Sequence, residues 1–126
     1  MKWQILIVDD SNVVKAVLMK VLGDSGAPIK RIFDASNGWD ALEILRKESI
    51  DVVFADINMP VMTGVEMVEN MADDPELSKV PVIMISTEGS SVRREYLKSK
   101  GVRAYIRKPF TEEQIRTVVR EVMLGR

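Results

Sequence analysis

The sequence predicts an α/β domain with the doubly wound (βα)5 architecture, a five-stranded parallel sheet in the order 2-1-3-4-5. Short segments with strand character alternate five times with segments whose apolar residues follow helical spacing, as βαβ units require. The segments at residues 3–8, 51–55 and 80–86 are apolar almost throughout, which is typical of strands covered by helices on both faces. Because right-handed crossovers leave few ways to connect such units, this strand order is the expected one.

The composition fits one globular domain over residues 1–126. The chain is 46% hydrophobic and 29% charged, and a domain of this length buries roughly two thirds of its unfolded surface. It contains no Cys and no His, which excludes disulfides, thiolate metal sites and catalysis by thiol or imidazole. We therefore expect any bound metal to be an oxygen-preferring ion such as Mg²⁺.

The N-terminal segment does not resemble a targeting sequence. Its apolar run at residues 3–8 is too short for a signal peptide and two acids follow it. No apolar run approaches the roughly 18 residues of a membrane span. We expect a soluble cytoplasmic protein without membrane insertion. The chain ends just after the last expected helix, so we expect no effector domain within it. Output is then expected through protein contacts, through dimerisation or through an effector outside the given sequence.

Five short segments are predicted as strands. Pro81 belongs at the start of the fourth, where a missing backbone N–H is tolerated. The predicted strands are residues 3–8, 30–35, 51–55, 80–86 and 103–107.

The helices are indicated by capping residues and apolar stripes. Ser11 or Asn12 caps the first helix, Asn37 caps the second, and Gly101 ends the fourth, at about 90–100. The third and fifth open with capping boxes, Thr63 to Glu66 and Thr111 to Gln114. The first helix ends near Gly23 and Gly26, and its expected apolar face is Val14, Val17, Leu18, Val21 and Leu22. The last helix shows Ile115, Val118, Val119 and Val122 on one face.

Polar residues end four of the predicted strands. Asp9 and Asp10 follow the first strand, Asp56 the third, Ser86 ends the fourth and Lys108 follows the fifth. The carboxyl ends of parallel strands share one edge, where ligands bind in such sheets. Three neighbouring carboxylates repel each other and favour a cation, for which Mg²⁺ is the simplest candidate. Each residue alone could be a cap or a turn former, so the inference depends on their joint occurrence.

These residues belong to motifs that resemble a known family. The motifs are Ile5 to Asp10, Asp56 to Pro60 followed by Gly64, Pro81 to Ser86, and Lys108 to Phe110. Together they resemble the receiver domain of bacterial two-component response regulators, particularly the small stand-alone chemotaxis type, which has a flavodoxin-like fold. The resemblance extends over essentially the whole chain.

The resemblance implies a role for each site residue. Asp56 matches the aspartate that accepts a phosphoryl group from a sensor histidine kinase. Asp9 and Asp10 match the acidic pair that holds Mg²⁺, and Asn58 matches the position whose backbone carbonyl completes the metal site. Lys108 matches the lysine that, with Mg²⁺, neutralises the phosphoryl group.

Other positions match the switching part of the family. Ser86 matches the hydroxyl that bonds the phosphoryl oxygen, and Tyr105 the aromatic switch residue, although Tyr105 could also be an ordinary half-buried aromatic. The Lys108–Pro109 bond is expected to be cis. Asn58 and Glu88 match positions that tune the phosphoryl lifetime, or are simply exposed polar residues.

Charge is unevenly distributed along the chain. Residues 34–76 hold eleven acids and two bases, whereas residues 88–108 hold seven bases and two acids. The basic segment spans the fourth helix and fifth strand, which with the fifth helix form the output face in receiver domains. The basic segment is either a solvated helix face or a contact surface. The resemblance implies a downstream protein target there, and we expect no direct nucleic-acid contact, because aromatic interleaving is absent.

Three other functions share some of these features. A mononucleotide binder of the same fold would need a phosphate loop where Asp9 and Asp10 stand. An aspartate-nucleophile phosphatase would favour an acid at the position of Asn58. A receiver that acts as a phosphate sink, or by binding without phosphorylation, stays open. We expect no enzymatic activity beyond the chain's own phosphoryl acceptance and loss.

Overall fold

The computed structural model describes residues 2–125, which contain one sheet of five parallel strands in the order β2-β1-β3-β4-β5. This confirms the predicted fold and strand order. The strands are β1 (Trp3–Val8), β2 (Ile29–Ala35), β3 (Val52–Ala55), β4 (Val82–Ser86) and β5 (Val102–Arg107). The helices are α1 (Asn12–Gly23), α2 (Gly38–Lys47), α3 (Gly64–Ala72), α4 (Ser91–Ser99) and α5 (Glu112–Val118), with a 3-10 turn at Leu77–Lys79 and a π-helical turn at Val119–Met123.

Two apolar layers enclose the sheet. Alternate residues of a strand point to opposite faces, so Leu6 and Val53 pack on the side of α2, α3 and α4, whereas Ile5 and Phe54 pack on the side of α1 and α5. Both sets are fully buried. The uninterrupted apolar runs of the central strands follow from this double coverage.

The predicted helix starts are confirmed by hydrogen bonds. Ser11, not Asn12, caps α1, because its hydroxyl accepts the backbone N–H of Val14 at 3.2 Å. Both capping boxes, at Thr63 and Thr111, are complete. These caps position the chain where it leaves the carboxyl edge of the sheet, the edge that holds the candidate site.

The expected apolar face of α1 was wrong at Val17. Val17 is 39% exposed, whereas Lys15 is 7% exposed and takes its place beside Leu18 and Leu22. The apolar stem of Lys15 can lie in the core while its ammonium group reaches the polar end of β2. There it donates to Ser36 Oγ at 3.1 Å and also forms an ion pair with Asp34.

The last helix also differs from the expected continuous α-helix. After Val118 it widens into a π-helical turn, in which the N–H of Leu124 donates a hydrogen bond to the carbonyl of Val119 at 3.1 Å. The wider turn buries Val119 and Met123 and leaves Val122 half-buried. Within residues 2–125, no helix has both the length and the apolarity needed to cross a membrane.

Candidate functional site

The site lies where β1 and β3 end side by side. The N–H of Asp9 donates to the carbonyl of Ala35 at 3.0 Å, and the N–H of Asp56 donates to the carbonyl of Val8 at 2.9 Å. These bonds extend the sheet ladder one residue past each strand. Asp9 and Asp56 are therefore held next to each other, and both are buried.

Three carboxylates gather at this point. Asp9, Asp10 and Asp56 each contribute one oxygen, and these oxygens lie within 4.8 Å of one another. Two oxygens bound to one Mg²⁺ lie at most about 4.2 Å apart, given the usual bond length of about 2.1 Å. The cluster therefore has nearly the spacing and the all-oxygen chemistry that a small hard cation needs. Asp10 is exposed and faces solvent at the rim.

Lys108 supplies the positive charge of the cluster. Its Nζ lies 2.9 Å from Asp9 Oδ2 and 3.1 Å from Asp56 Oδ2. Burial alone would lower the pKa of Lys108, but hydrogen bonds and charge from Asp9 and Asp56 outweigh it and raise that pKa above its ordinary value. Lys108 is therefore charged at neutral pH. The Lys108–Pro109 bond is cis, as expected.

Backbone groups hold the other oxygen of each buried carboxylate. The N–H of Ile57 donates to Asp56 Oδ1 at 2.7 Å, and the N–H of Ser11 donates to Asp9 Oδ1 at 2.8 Å. Each carboxylate thus has one oxygen on Lys108 and one on the backbone. This arrangement orients both groups before any ligand arrives.

Gly64 allows the loop after β3 to fold back against the site. A Cβ built on Gly64 would lie 2.1 Å from the carbonyl oxygen of Asp56, far inside van der Waals contact. The Gly64 N–H also donates to the carbonyl of Ile57 at 2.8 Å. The sequence placed Gly64 in a motif, but only the three-dimensional contact explains why a side chain is excluded there.

Ser86 lies beside Asp56 in the sheet register. Ala55 pairs with Met84, so Ser86 is one residue further along β4 than the partner of Asp56. Ser86 is fully buried, and its Oγ accepts the N–H of Glu88 at 3.3 Å. The hydroxyl is thereby engaged with the loop that leads into α4.

Tyr105 is connected to the same loop. Its hydroxyl donates to the carbonyl of Glu88 at 2.5 Å, and burial, together with the nearby Glu88 charge, raises its pKa. The guanidinium of Arg94 lies 4.8 Å from the centre of the Tyr105 ring, a cation–π distance. Asn58, the remaining predicted residue, is exposed in the loop after Asp56.

Sequence reasoning missed Lys15 and the partnership of Arg94 with Tyr105. Lys15 lies three and seven residues before Leu18 and Leu22, so helical spacing alone could have indicated a buried lysine. No comparable signal existed for Arg94, because its partner lies on a different element and eleven residues later in the chain.

The loop after Asp56 contains a strained residue. Val61 has φ of +67° and is 82% exposed, a costly conformation for a β-branched side chain. Val61→Gly should raise the free energy of unfolding by about 0.5–1 kcal/mol in urea denaturation. Val92→Gly is the control: Val92 is 80% exposed but helical, so that change should lower stability by a few tenths of a kcal/mol. Equal effects of the two changes would contradict the strain.

Comparison with known proteins assigns the chain to a family. Residues 5–120 match the response regulator receiver domain. The chain is 34% identical to the protein PilH of Pseudomonas aeruginosa, over 97% of this chain and 98% of PilH. It is 37% identical to the chemotaxis protein CheY-3 of Vibrio cholerae, over 86% and 82% of the two chains.

A solved structure agrees with these relatives. The structure of the chemotaxis response regulator CheY4 of Vibrio cholerae superimposes with a TM-score of 0.85 at 30% identity, covering 97% of this chain and 99% of CheY4. The order of strands is the predicted one, and the acidic cluster and Lys108 lie together at the carboxyl edge of the sheet. The chain therefore belongs to the response regulator receiver domain family of two-component and chemotaxis signalling.

Proposed function

We propose that this protein is a phosphorylation-operated switch. In this proposal Asp56 accepts a phosphoryl group from the phosphohistidine of a sensor histidine kinase, and the modified protein then binds a downstream protein through α4, β5 and α5. The observation that carries the proposal is the buried Asp56 carboxylate, clustered with two further carboxylates and 3.1 Å from Lys108.

The donor set favours Mg²⁺ as the cofactor. Asp9, Asp10 and Asp56 offer only carboxylate oxygens, and the backbone carbonyl of Asn58 would complete the set, as family resemblance implies. Bound there, Mg²⁺ would neutralise the negative charge that keeps a phosphoryl donor away from three carboxylates.

The transfer requires one bond to form and one to break. An Asp56 oxygen forms the new O–P bond while the P–N bond of phosphohistidine breaks, and the electron pair of that bond stays on the imidazole nitrogen. The product is an acyl phosphate on Asp56. Lys108 is placed to donate to a phosphoryl oxygen, since it already lies within hydrogen-bond distance of Asp56 Oδ2.

The contacts of Ser86 support a route from Asp56 to the output face. A phosphoryl oxygen on Asp56 would draw the Ser86 hydroxyl away from the N–H of Glu88. The Glu88 carbonyl holds Tyr105, and Arg94 stacks on the Tyr105 ring. Loss of the bond between the Glu88 N–H and Ser86 would therefore shift the loop, Tyr105 and α4 from one arrangement towards a second.

The chemistry would be limited to the protein's own phosphoryl group. The protein would turn over only its own acyl phosphate, in the cytoplasm, and would act on no other substrate. The alternative is a receiver that serves as a phosphate sink or binds partners without phosphorylation. Proof of phosphorylation removes the unphosphorylated alternative, and phosphorylation-dependent partner binding removes the sink.

Intact mass after incubation with acetyl phosphate tests the proposal. The wild type should gain about 80 Da only when Mg²⁺ is present, and Asp56→Asn should gain nothing. Asp24→Asn is the control, because Asp24 is an exposed acid at the far end of α1, and it should gain the same mass as the wild type.

Some donors phosphorylate receivers poorly, so beryllofluoride is the second probe. It mimics the acyl phosphate without a transfer reaction, and binding should perturb the NMR signals of Ser86 and Tyr105. An adduct that persists in Asp56→Asn would contradict the assignment of Asp56. Absence of both an adduct and beryllofluoride binding would overturn the proposal and favour the unphosphorylated binding module.

A further inference from the structure

Among residues 2–125, strand β5 lies at one edge of the sheet and pairs with β4 alone. Its outer edge therefore presents backbone N–H and C=O groups that the sheet does not pair. Within residues 2–125, no hydrogen bond from another element reaches that edge. A bare strand edge of this kind is a template for an added strand.

Helices α4 and α5 lie on opposite faces of the sheet and flank this edge. One cavity of about 340 Å³ lies between α4 and residues 102–105, and a second of about 420 Å³ lies between residues 105–107 and α5. Both are lined by Arg94 and Tyr105, so they adjoin along the strand. We call the combined depression the β5 trough.

The β5 trough is positively charged. Four bases line it, Arg94, Lys98, Arg103 and Arg107, and among the described residues none of them forms an ion pair with a carboxylate. Of the two acids in the lining, Glu113 is already paired with Arg116 and Arg120 at 3.3 and 3.5 Å. Only Glu95 is left to offset the bases.

The charge selects the occupant of the trough. Arg103 and Arg107 are exposed on β5, so a second copy of this edge would bring like charges together. Arg103 is also the extra residue of a bulge, since Val102 pairs with Val82 and Ala104 with Ile83. The regular stretch from Ala104 to Arg107 remains free for an acidic extended chain, which would satisfy both the backbone edge and the bases.

We propose that the β5 trough binds an extended acidic peptide segment of the output partner, which adds to the sheet as a sixth strand beside β5. This rests on the proposed function and specifies the partner of the output face. Backbone pairing would give the affinity, and carboxylates at alternate positions would meet the four bases.

Tyr105 connects the trough to the phosphorylation site. Its hydroxyl is held by the Glu88 carbonyl, and its ring holds the guanidinium of Arg94 at the middle of the trough. Release of Tyr105 would free Arg94 to pair with a carboxylate of the peptide. Beryllofluoride-loaded protein should therefore bind the peptide about tenfold more tightly than unloaded protein.

The test uses a blocked seven-residue peptide that alternates Glu and Val, titrated into ¹⁵N-labelled full-length protein. Binding should shift the signals of residues 102–107 and slow exchange of amide protons at the outer edge of β5. N-methylation of the peptide nitrogens on one side should abolish binding, while N-methylation of those on the other side should not. A peptide with Lys in place of Glu should not bind.

Protein variants test the charge. Lys98→Glu with Arg103→Glu should weaken binding by at least about tenfold. Lys30→Glu and Arg31→Glu together are the control, because they make the same change of charge on β2, the opposite edge strand. That pair should leave affinity within about twofold, and the NMR spectrum shows whether each variant is folded.

Several outcomes would overturn the proposal: no binding at millimolar peptide, equal binding of the Lys peptide, or equal binding of both N-methylated forms. Failure of the underlying switch would look different. In that case the peptide would bind β5 but with equal affinity in loaded and unloaded protein. A normal phosphoryl adduct without peptide binding would overturn the trough and leave the phosphorylation proposal intact.

Discussion

Gly64→Ala is expected to lower the free energy of unfolding by about 3 kcal/mol, at the upper end of the cost of overpacking. The added methyl group would lie 2.1 Å from the carbonyl oxygen of Asp56, and neither backbone can move freely. The Gly64 N–H is bonded to the Ile57 carbonyl, and the Asp56 N–H is bonded to Val8 in β1. Relief of the clash must therefore displace the loop that carries Asp56. Urea denaturation measures the loss of stability.

Gly23→Ala is the matched control. Gly23 is also in a helix, and a Cβ there meets no atom within 4 Å, so the change should be neutral or slightly stabilising through helix propensity. Both variants gain the same intrinsic propensity, and their difference isolates the contact with Asp56. Similar stabilities for the two variants would show that the loop yields without cost.

Lys108→Met is expected to change three properties in different directions. In metal-free buffer it should lower the free energy of unfolding by about 2–3 kcal/mol, because Asp9 and Asp56 lose the cation between them. It should raise Mg²⁺ affinity by about tenfold, since a competing positive charge beside the carboxylates is removed. It should slow phosphoryl acceptance from acetyl phosphate by about a hundredfold, the usual cost of losing one preorganised charge donor.

These effects can be measured separately. Urea denaturation reports stability, titration calorimetry reports Mg²⁺ affinity, and intact mass against time reports the transfer. Lys79→Met is the control, because Lys79 is exposed just before β4, at the amino ends of the strands and away from the site. It should leave all three properties unchanged. Weaker Mg²⁺ binding by Lys108→Met, or phosphorylation at the wild-type rate, would contradict the role assigned to Lys108.

Which residues meet at the carboxyl edge could be predicted because the position of each one has a local origin. Asp9, Asp56, Ser86 and Lys108 each stand at the end of a predicted strand, and parallel strands bring their carboxyl ends to one edge. Capping boxes at Thr63 and Thr111 are likewise local, since the residues that form them lie three positions apart. Their existence needed no knowledge of the tertiary structure.

The features that were missed involve partners far apart in the chain or a departure from regular helix. Lys15 is buried on α1 and Val17 is not, because the polar end of β2 lies beside α1 and the Lys15 ammonium group donates to Ser36 there. The π-helical turn after Val118 adds one residue to the turn, but Val118 and Val122 still pack half-buried against the core, as expected. Helical spacing alone does not predict such an insertion.

By itself, the sequence determined the fold class, the strand order and the set of residues at the carboxyl edge, because alternating patterns and short connections restrict the topology. Only the tertiary structure decided how those residues interact. The Lys108 ammonium group donates to both Asp9 and Asp56, which lie 99 and 52 residues earlier in the chain. Arg94 of α4 stacks on Tyr105 of β5. Such distances and orientations depend on how whole helices pack against the sheet, and no local pattern of residues encodes them.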